Sequence, residues 1–232
     1  MTDAPRMPDP AERLILLLVG AVGAGKGTQA ELLSARLDIP HLASGDLFRR
    51  NLREGTPLGE QARGYMENGD LVPDDLTIAM FMDRLAEPDA ARGAILDGFP
   101  RTVRQAEALD RTLADHGERI RRVIYIDVPT EQLIQRVAGR FVCPTCGTPY
   151  HASGDPPRQA GICDKEGTPL GQRNDDRPEV VRARLAKQVP PMLEVLRHYE
   201  EAGIVDKIDG TRPIESVTEA ILRSANATPE RT

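Results

Sequence analysis

The chain contains no tryptophan, and only 3% of its 232 residues are aromatic. Platforms for single-stranded nucleic acid stack bases on exposed rings, so that class is disfavoured at once. Positive charge is not in excess either. The chain has 30 Lys and Arg against 36 Asp and Glu, a net charge of −6. A general binder of nucleic acid or of an anionic membrane would show a basic face. No apolar run approaches the roughly 20 residues that cross a bilayer. The first twelve residues carry three prolines and three acids and have no signal-peptide core. Only three cysteines occur, two of them in a C-x-x-C, so a disulfide framework is not expected and a cytoplasmic location is. Residues 1–12 and 224–232 read as flexible extensions flanking one domain at 13–223, and a monomer is expected.

Against those absences stands one dense stretch. The apolar run Leu14–Val19 leads into Gly20-Ala-Val-Gly-Ala-Gly-Lys-Gly-Thr28. A strand feeding a glycine-rich loop with a lysine reads as a phosphate-binding loop. Glycine lets backbone N–H groups close around phosphate oxygens, and the following helix adds the positive end of its dipole. Ala30, Leu33 and Leu37 recur at helical spacing, which predicts a helix over 28–37. The usual pattern wants Ser or Thr after the lysine. Here Gly27 stands there, with Thr28 one place later, and Gly27 has no side chain for Mg2+. The alternative reading is a glycine-rich turn with a surface lysine.

Apolar segments at 14–19, 41–43, 94–96, 123–128 and 204–208 alternate with helical patterns. Such alternation predicts a parallel sheet with helices on both faces. Two stretches interrupt it. Residues 44–72 are polar and helical in pattern. Residues 141–177 are rich in Gly, Pro, Asp and Cys and too long for an ordinary connection, as lids and small subdomains are.

The third of those strands ends in Asp97-Gly-Phe-Pro-Arg101. It delivers Asp97 to the carboxyl end of the sheet, where ligands of α/β proteins bind. A carboxylate beside a phosphate loop is placed to organise Mg2+ and its waters, and an arginine fork to grip phosphate. The alternative is a strand-end turn with a surface ion pair. The histidines, His41, His116, His151 and His198, sit in no triad-like setting and read as structural or surface residues.

Gly23-Ala-Gly-Lys-Gly-Thr-Gln29, Ser44-Gly-Asp-Leu-Phe-Arg49 and Asp97-Gly-Phe-Pro-Arg101 resemble the adenylate kinase family in order and spacing. So do Gly139-Arg140, Arg173-Asn-Asp-Asp176, Arg184 and Asp209-Gly210-Thr211. The resemblance runs from residue 14 to about 221. It implies a P-loop NTPase-type, doubly wound five-stranded parallel sheet (core 13–42, 73–138 and 177–223). An inserted AMP-binding segment (43–72) and a lid (139–176) would complete it. The reaction implied is Mg2+-dependent transfer, ATP + AMP ⇌ 2 ADP, in line between two bound nucleotides. By that resemblance Gly23, Ala24, Gly25, Lys26, Gly27 and Thr28 hold the ATP phosphates, with Arg136, Arg140, Tyr150 and Gly210 on the donor side. Ser44, Arg49, Asp70, Leu71, Val72, Gly98, Phe99, Pro100, Arg101 and Gln105 form the AMP site, with Arg173 and Arg184 shared at its phosphates. Lys26, Asp97, Arg101, Arg136, Arg140, Arg173 and Arg184 carry the chemistry. Two facing nucleotides concentrate negative charge, and positioning with electrostatic stabilisation suffices for this transfer.

AMP as acceptor is the sharper expectation. The Gln105 amide can donate to and accept from an adenine edge, and it lies one helical turn after Arg101. Pyrimidine monophosphate kinases, which resemble this family, carry Asn directly after that Arg; here Thr102 stands there. A UMP/CMP acceptor or a GTP donor on the same scaffold is the alternative. A GTPase-like switch lacks its Asn-Lys-x-Asp motif here, and a zinc-knuckle nucleic-acid module conflicts with the acidic charge and scarce aromatics. No nucleic-acid or membrane partner is expected.

In the long insert, Cys143-x-x-Cys146, a gap of sixteen and Cys163-x-x-Glu166 resemble the zinc-binding lid of many adenylate kinases. Structural Zn2+ held by Cys143, Cys146, Cys163 and Glu166 is implied, Asp164 or water being substitutes at the fourth place; three free thiols are the alternative. Val22 stands where the family carries proline, which implies a slightly looser loop.

Overall fold

The computed structural model describes residues 13–67, 72–151, 156–172 and 176–226. Residues 1–12, Asp70, Leu71, Arg173 and residues 227–232, on which several expectations fall, lie outside that range.

Five strands form one parallel sheet: β1 (Leu14–Val19), β2 (His41–Ala43), β3 (Gly93–Asp97), β4 (Arg122–Asp127) and β7 (Val205–Asp209), in the order β2-β3-β1-β4-β7. β1 is central and reads as a continuous apolar run because both of its faces are covered. Its side chains divide by alternation. Ile15, Leu17 and Val19 join one core cluster, and Leu16 and Leu18 the other. The first cluster is closed by α4 (Asp74–Leu85), through Ile78, Phe81 and Leu85, and by α5 (Val103–Asp115), through Ala106, Leu109 and Leu113. The second is closed by α1 (Lys26–Leu37), α6 (Thr130–Ala138) and α8 (Ile214–Asn226). The 24-residue α7 (Pro178–Glu201) serves both: Val181 and Leu185 pack in the second cluster, Val195, Leu196 and Tyr199 in the first. This is the α/β, doubly wound architecture expected from the strand–helix alternation.

The boundaries move for local reasons. β3 starts at Gly93, whose φ of 140° and close approach to the Leu14 backbone exclude any Cβ. β4 and β7 both end on an aspartate, because Asp127 and Asp209 are register partners. α1 begins at Lys26, not Thr28, since Gly25 takes a left-handed conformation at the cap. That shift sets Lys26 in the first turn.

Because all five strands are parallel, their carboxyl ends share one edge. From β1 the chain crosses to β2 on one side, and from β3 to β4 on the other. The crevice between β1 and β3 is therefore the topological switch point, where ligands of such sheets bind. Two additions interrupt the strand–helix alternation. α2 (Ser44–Glu54) and α3 (Pro57–Glu67) pack on each other after β2, and their Leu47 and Ala62 reach the first core cluster. β5 (Arg140–Val142) and β6 (Pro149–His151) form an antiparallel pair after α6. Among the described residues no helix is long and apolar enough to cross a membrane.

Candidate active site

The loop after β1 closes tightly. Gly23 has φ 85°, and a Cβ there would meet the Leu133 carbonyl at 2.9 Å and Val137 Cγ2 at 2.8 Å, on α6. Only glycine lets the loop lie this close to that helix. Ala24 is buried, and Val22 packs against the second core cluster. Lys26 folds back over the loop, and its Nζ donates to the carbonyls of Gly20 at 2.8 Å and Ala21 at 3.3 Å.

Charge converges on that ammonium. Burial pushes the Lys26 pKa below its ordinary value; Asp97 opposes this, while Arg101, Arg140 and Arg184 push it further down. An anion bound among these cations would relieve their mutual repulsion. Asp97 ends β3, beside Leu18 of β1 and Ala43 of β2. Burial would raise its pKa, but a hydrogen bond from His41 and the charges of Lys26 and Arg101 prevail and hold it below the ordinary carboxylate value. The ionised carboxylate faces the phosphate loop, as hydrated Mg2+ requires.

His41 is thus not merely structural. Its Nε2 lies 3.3 Å from Asp97 Oδ2. A folded pKa held down contributes stability that is present above the unfolded value and lost as pH falls through the folded one. His41→Leu removes the strongest pull on Asp97. We expect the acid limb of the kcat/KM profile to move to higher pH; an unmoved limb would sink the coupling.

On the other flank Ser44, Gly98 and Arg101 interlock. The Ser44 hydroxyl donates to the Gly98 carbonyl at 3.2 Å, and Arg101 Nε donates to that carbonyl at 2.7 Å. Gly98 has φ 77°, and a Cβ would meet Ser44 Oγ at 2.9 Å. Phe99 is buried in the first core cluster and stacks on Phe81 with centroids 4.9 Å apart. Gln105 bonds both Arg101 and Asp74. Val72 packs against the same core. Arg49 is exposed and pairs with Asp46.

The remaining arginines differ in setting. Arg136 donates to the Gly210 carbonyl at 2.9 Å, and Gly210 N–H donates to the Asp127 carbonyl at 2.8 Å. A Cβ at Gly210 would meet Ile126 and Val128 methyls at 2.6 Å, so the backbone there presses against β4. Arg140 makes a two-point pair with the fully buried Asp176, one arm at 3.0 Å. Asp176, the last residue of the Arg-Asn-Asp-Asp stretch, thus anchors an arginine of the site. The charges of Asp97, Arg101, Arg140 and Arg184 all act on Lys26, and Arg136 is tied to the Gly210 turn.

The small sheet carries the cysteines. Sγ atoms of Cys143, Cys146 and Cys163 lie within 4.8 Å of one another, and Cys146 and Cys163 are 3.7 Å apart. A tetrahedron with Zn–S bonds of about 2.3 Å has edges of about 3.8 Å, so the spacing suits Zn2+. Burial opposes the Cys143 thiolate, but hydrogen bonds from the Cys146 and Thr145 backbone and from Thr168 pull its pKa down to about 6. Glu166 is exposed and its carboxylate is not within that sulfur group. Yet the two knuckles are copies. Cys143 N–H donates to the Thr148 carbonyl and Gly147 N–H to Cys143; Cys163 N–H donates to Thr168 and Gly167 N–H to Cys163. Glu166 holds the position of Cys146. The signal was present in the repeated Gly-Thr-Pro at 147–149 and 167–169. Tyr150 is buried, its hydroxyl 3.5 Å from Cys163 Sγ and accepting from Asp164 N–H, which places it inside this small core. His151 covers Gly139, where a Cβ would meet Nε2 at 2.6 Å.

Comparison with known proteins gives a consistent picture. The model of a family described as adenylate kinase matches residues 18–204. An adenylate kinase of Oceanobacillus iheyensis is 48% identical over 206 residues, 89% of this chain and 96% of the relative. One from Lachnospira eligens is 44% identical over 211 residues, 90% and 98% of the two chains. One from Staphylococcus aureus is 44% identical over 207 residues, 89% and 96%.

Proposed function

Since this chain belongs to the adenylate kinase family, we propose how its own residues divide the work of a phosphotransferase that interconverts ATP and AMP with two ADP. The observation that carries the assignment is the glycine-rich loop after β1 with Lys26 folded over it, and Asp97 at the end of the neighbouring strand β3; the charges of Arg101, Arg140 and Arg184 act on the same ammonium. No protein nucleophile is required, because an oxygen of the AMP phosphate attacks the γ-phosphorus as the bond to the ADP oxygen breaks.

Gly23 to Thr28 cradle the donor phosphates, and Lys26 exchanges its bonds to Gly20 and Ala21 for phosphate oxygens. Arg136 positions the Gly210 turn beside the donor base, and Tyr150 supports the lid on that side. Ser44, Arg49, Asp70, Leu71, Val72, Gly98, Phe99, Pro100, Arg101 and Gln105 form the acceptor site. Arg140, Arg173 and Arg184 close over the transferring group, where charge spreads over its equatorial oxygens. Mg2+, bound with ATP, neutralises phosphate charge, and Asp97 is the residue that would orient its water shell. Segments 43–72 and 139–176 close over the core and exclude water that would otherwise hydrolyse ATP. Cys143, Cys146 and Cys163 would hold structural Zn2+ in the second segment, and Glu166, at the position in its knuckle that Cys146 has in the first, would supply the fourth ligand by turning its carboxylate toward the sulfurs. The enzyme works as a cytoplasmic monomer with no nucleic-acid or membrane partner.

A coupled assay tests the division. With Mg2+, ADP should form from ATP and AMP at a kcat/KM at least about 100-fold above that with UMP or CMP, since a base-reading hydrogen-bonded site rejects the wrong edge strongly. Efficient phosphorylation of UMP or CMP, or preference for GTP over ATP, would overturn the nucleotide assignments.

A further inference from the structure

Gln105 is held by protein at both ends of its amide. Oε1 accepts the backbone N–H of Arg101 at 2.7 Å, and Nε2 donates to Oδ1 of Asp74 at 2.7 Å. Both partners are chemically one-way. A backbone N–H only donates, and a carboxylate only accepts. A flipped amide would set N–H against N–H and oxygen against carboxylate, so one orientation alone is satisfied. The backbone is fixed too, because Gln105 N–H donates to the Thr102 hydroxyl at 3.3 Å in the cap of α5.

The lock leaves part of the amide unused. An amide oxygen has two lone pairs and an amide nitrogen two N–H groups, so one of each remains after these bonds. A 6-aminopurine offers an N–H donor at position 6 next to acceptor ring nitrogens at N1 and N7. A 6-oxopurine offers an acceptor at position 6 and an N–H at N1. The remaining oxygen lone pair and N–H of Gln105 match the first pattern, and match the second only if the amide flips.

The geometry points to Asp74 as the residue that sets the base preference of the acceptor site. By holding the Gln105 amide in one polarity, it admits 6-aminopurine nucleoside monophosphates and rejects 6-oxopurine ones. The inference rests on Gln105 facing the acceptor base, as proposed above. Asp74 is a positioning residue, not a catalytic one. It opens α4, and its other oxygen lies 3.8 Å from Arg104 Nε. Its bond to Gln105 is the charge-assisted half of the lock, and so the stronger half. Asp75, its neighbour, lies instead in a groove with Leu58 and Tyr65.

The test is a comparison of kcat/KM for AMP and for IMP, a 6-oxopurine nucleotide. Asp74→Asn offers Gln105 either an oxygen or an N–H, and Asp74→Ser offers a hydroxyl that does both while remaining a good residue for a helix start. Each should lower the AMP:IMP ratio by about tenfold or more, carried by a lower KM for IMP and not by kcat. Asp75→Asn makes the same charge change at the same helix end and should leave the ratio within about twofold. Gln105→Leu should collapse the ratio. If Gln105→Leu collapses it while both Asp74 variants preserve it, Asp74 has no such role and the acceptor-site reading stands. If Gln105→Leu leaves it intact, Gln105 does not face the base and both readings fail. An equal shift in Asp75→Asn would also overturn the proposal, reducing it to a general charge effect.

Discussion

Lys26→Met is expected to lower kcat about 1,000-fold without lowering the melting temperature by more than a few degrees. The loss equals about 4 kcal/mol of transition-state stabilisation, the upper range for one preorganised donor in a water-excluded site. Lys26 stands in the first turn of α1, where its ammonium can follow charge as it moves between phosphates. The free protein holds that ammonium at a cost. Burial and three arginine charges depress its pKa. For a cation the sign runs opposite to the carboxylate case. With a folded pKa below the unfolded one, the charged group destabilises the native state at neutral pH, and the penalty fades as pH rises through the folded value. Methionine removes the penalty but also the bonds to Gly20 and Ala21, each worth about 1 kcal/mol. The two changes act on stability with opposite sign, whereas transition-state stabilisation is only lost, so activity and stability separate. A coupled assay and a calorimetric scan on the same preparation check both. Turnover near the parent level would remove Lys26 from the chemistry, and a collapse in melting temperature would make it a structural residue.

The chain showed its fold wherever a signal was local. Leu14–Val19 is unbroken because β1 is covered on both faces, and that central strand anchors the rest. The edges of elements moved by one or two residues where a glycine conformation decides, as at Gly25 and Gly93. The site was legible in its motif residues and illegible in their partners. His41 reaches Asp97 because β2 lies beside β3, and nothing between positions 41 and 97 announces that strand order. Asp74 meets Gln105 across two helices, and Asp176 meets Arg140 across the whole insert. Each is a polar pairing set by tertiary geometry, without the periodicity by which apolar residues declare themselves. The second knuckle is the opposite case. Its copy of Gly-Thr-Pro was in plain view, and only the structure gave the repeat meaning.

Removal of the metal should unfold the small sheet while leaving the parallel sheet intact. Among its described residues the core of this insert is slight: Cys143, Tyr150 and Cys163, with Leu170 packed on them. So few apolar groups cannot offset the conformational entropy of about thirty residues at roughly 1.5 kcal/mol each. A metal on three sulfurs spaced for a tetrahedron would supply what is missing to hold β5 to β6. The expected result is one zinc per chain in protein purified without chelator. After extraction with a thiol reagent and chelator, amides at 140–151 and 156–172 should exchange freely, while those of β1, β3 and β4 stay protected. Loss of some 3–5 kcal/mol of local stability corresponds to a melting shift of about 10 °C at this chain length. Ligand variants separate the roles. Cys143→Ser should abolish the metal, because it removes a buried sulfur from the three-sulfur group. Glu166→Cys should bind zinc more tightly than the parent, since it restores in the second knuckle the thiolate that Cys146 supplies in the first. Glu166→Ala should weaken zinc binding without abolishing it. Parent protein free of metal yet protected across the insert would refute the site. Equal zinc affinity in Glu166→Ala and Glu166→Cys would remove Glu166 from the ligand set and leave the fourth place to Asp164 or water.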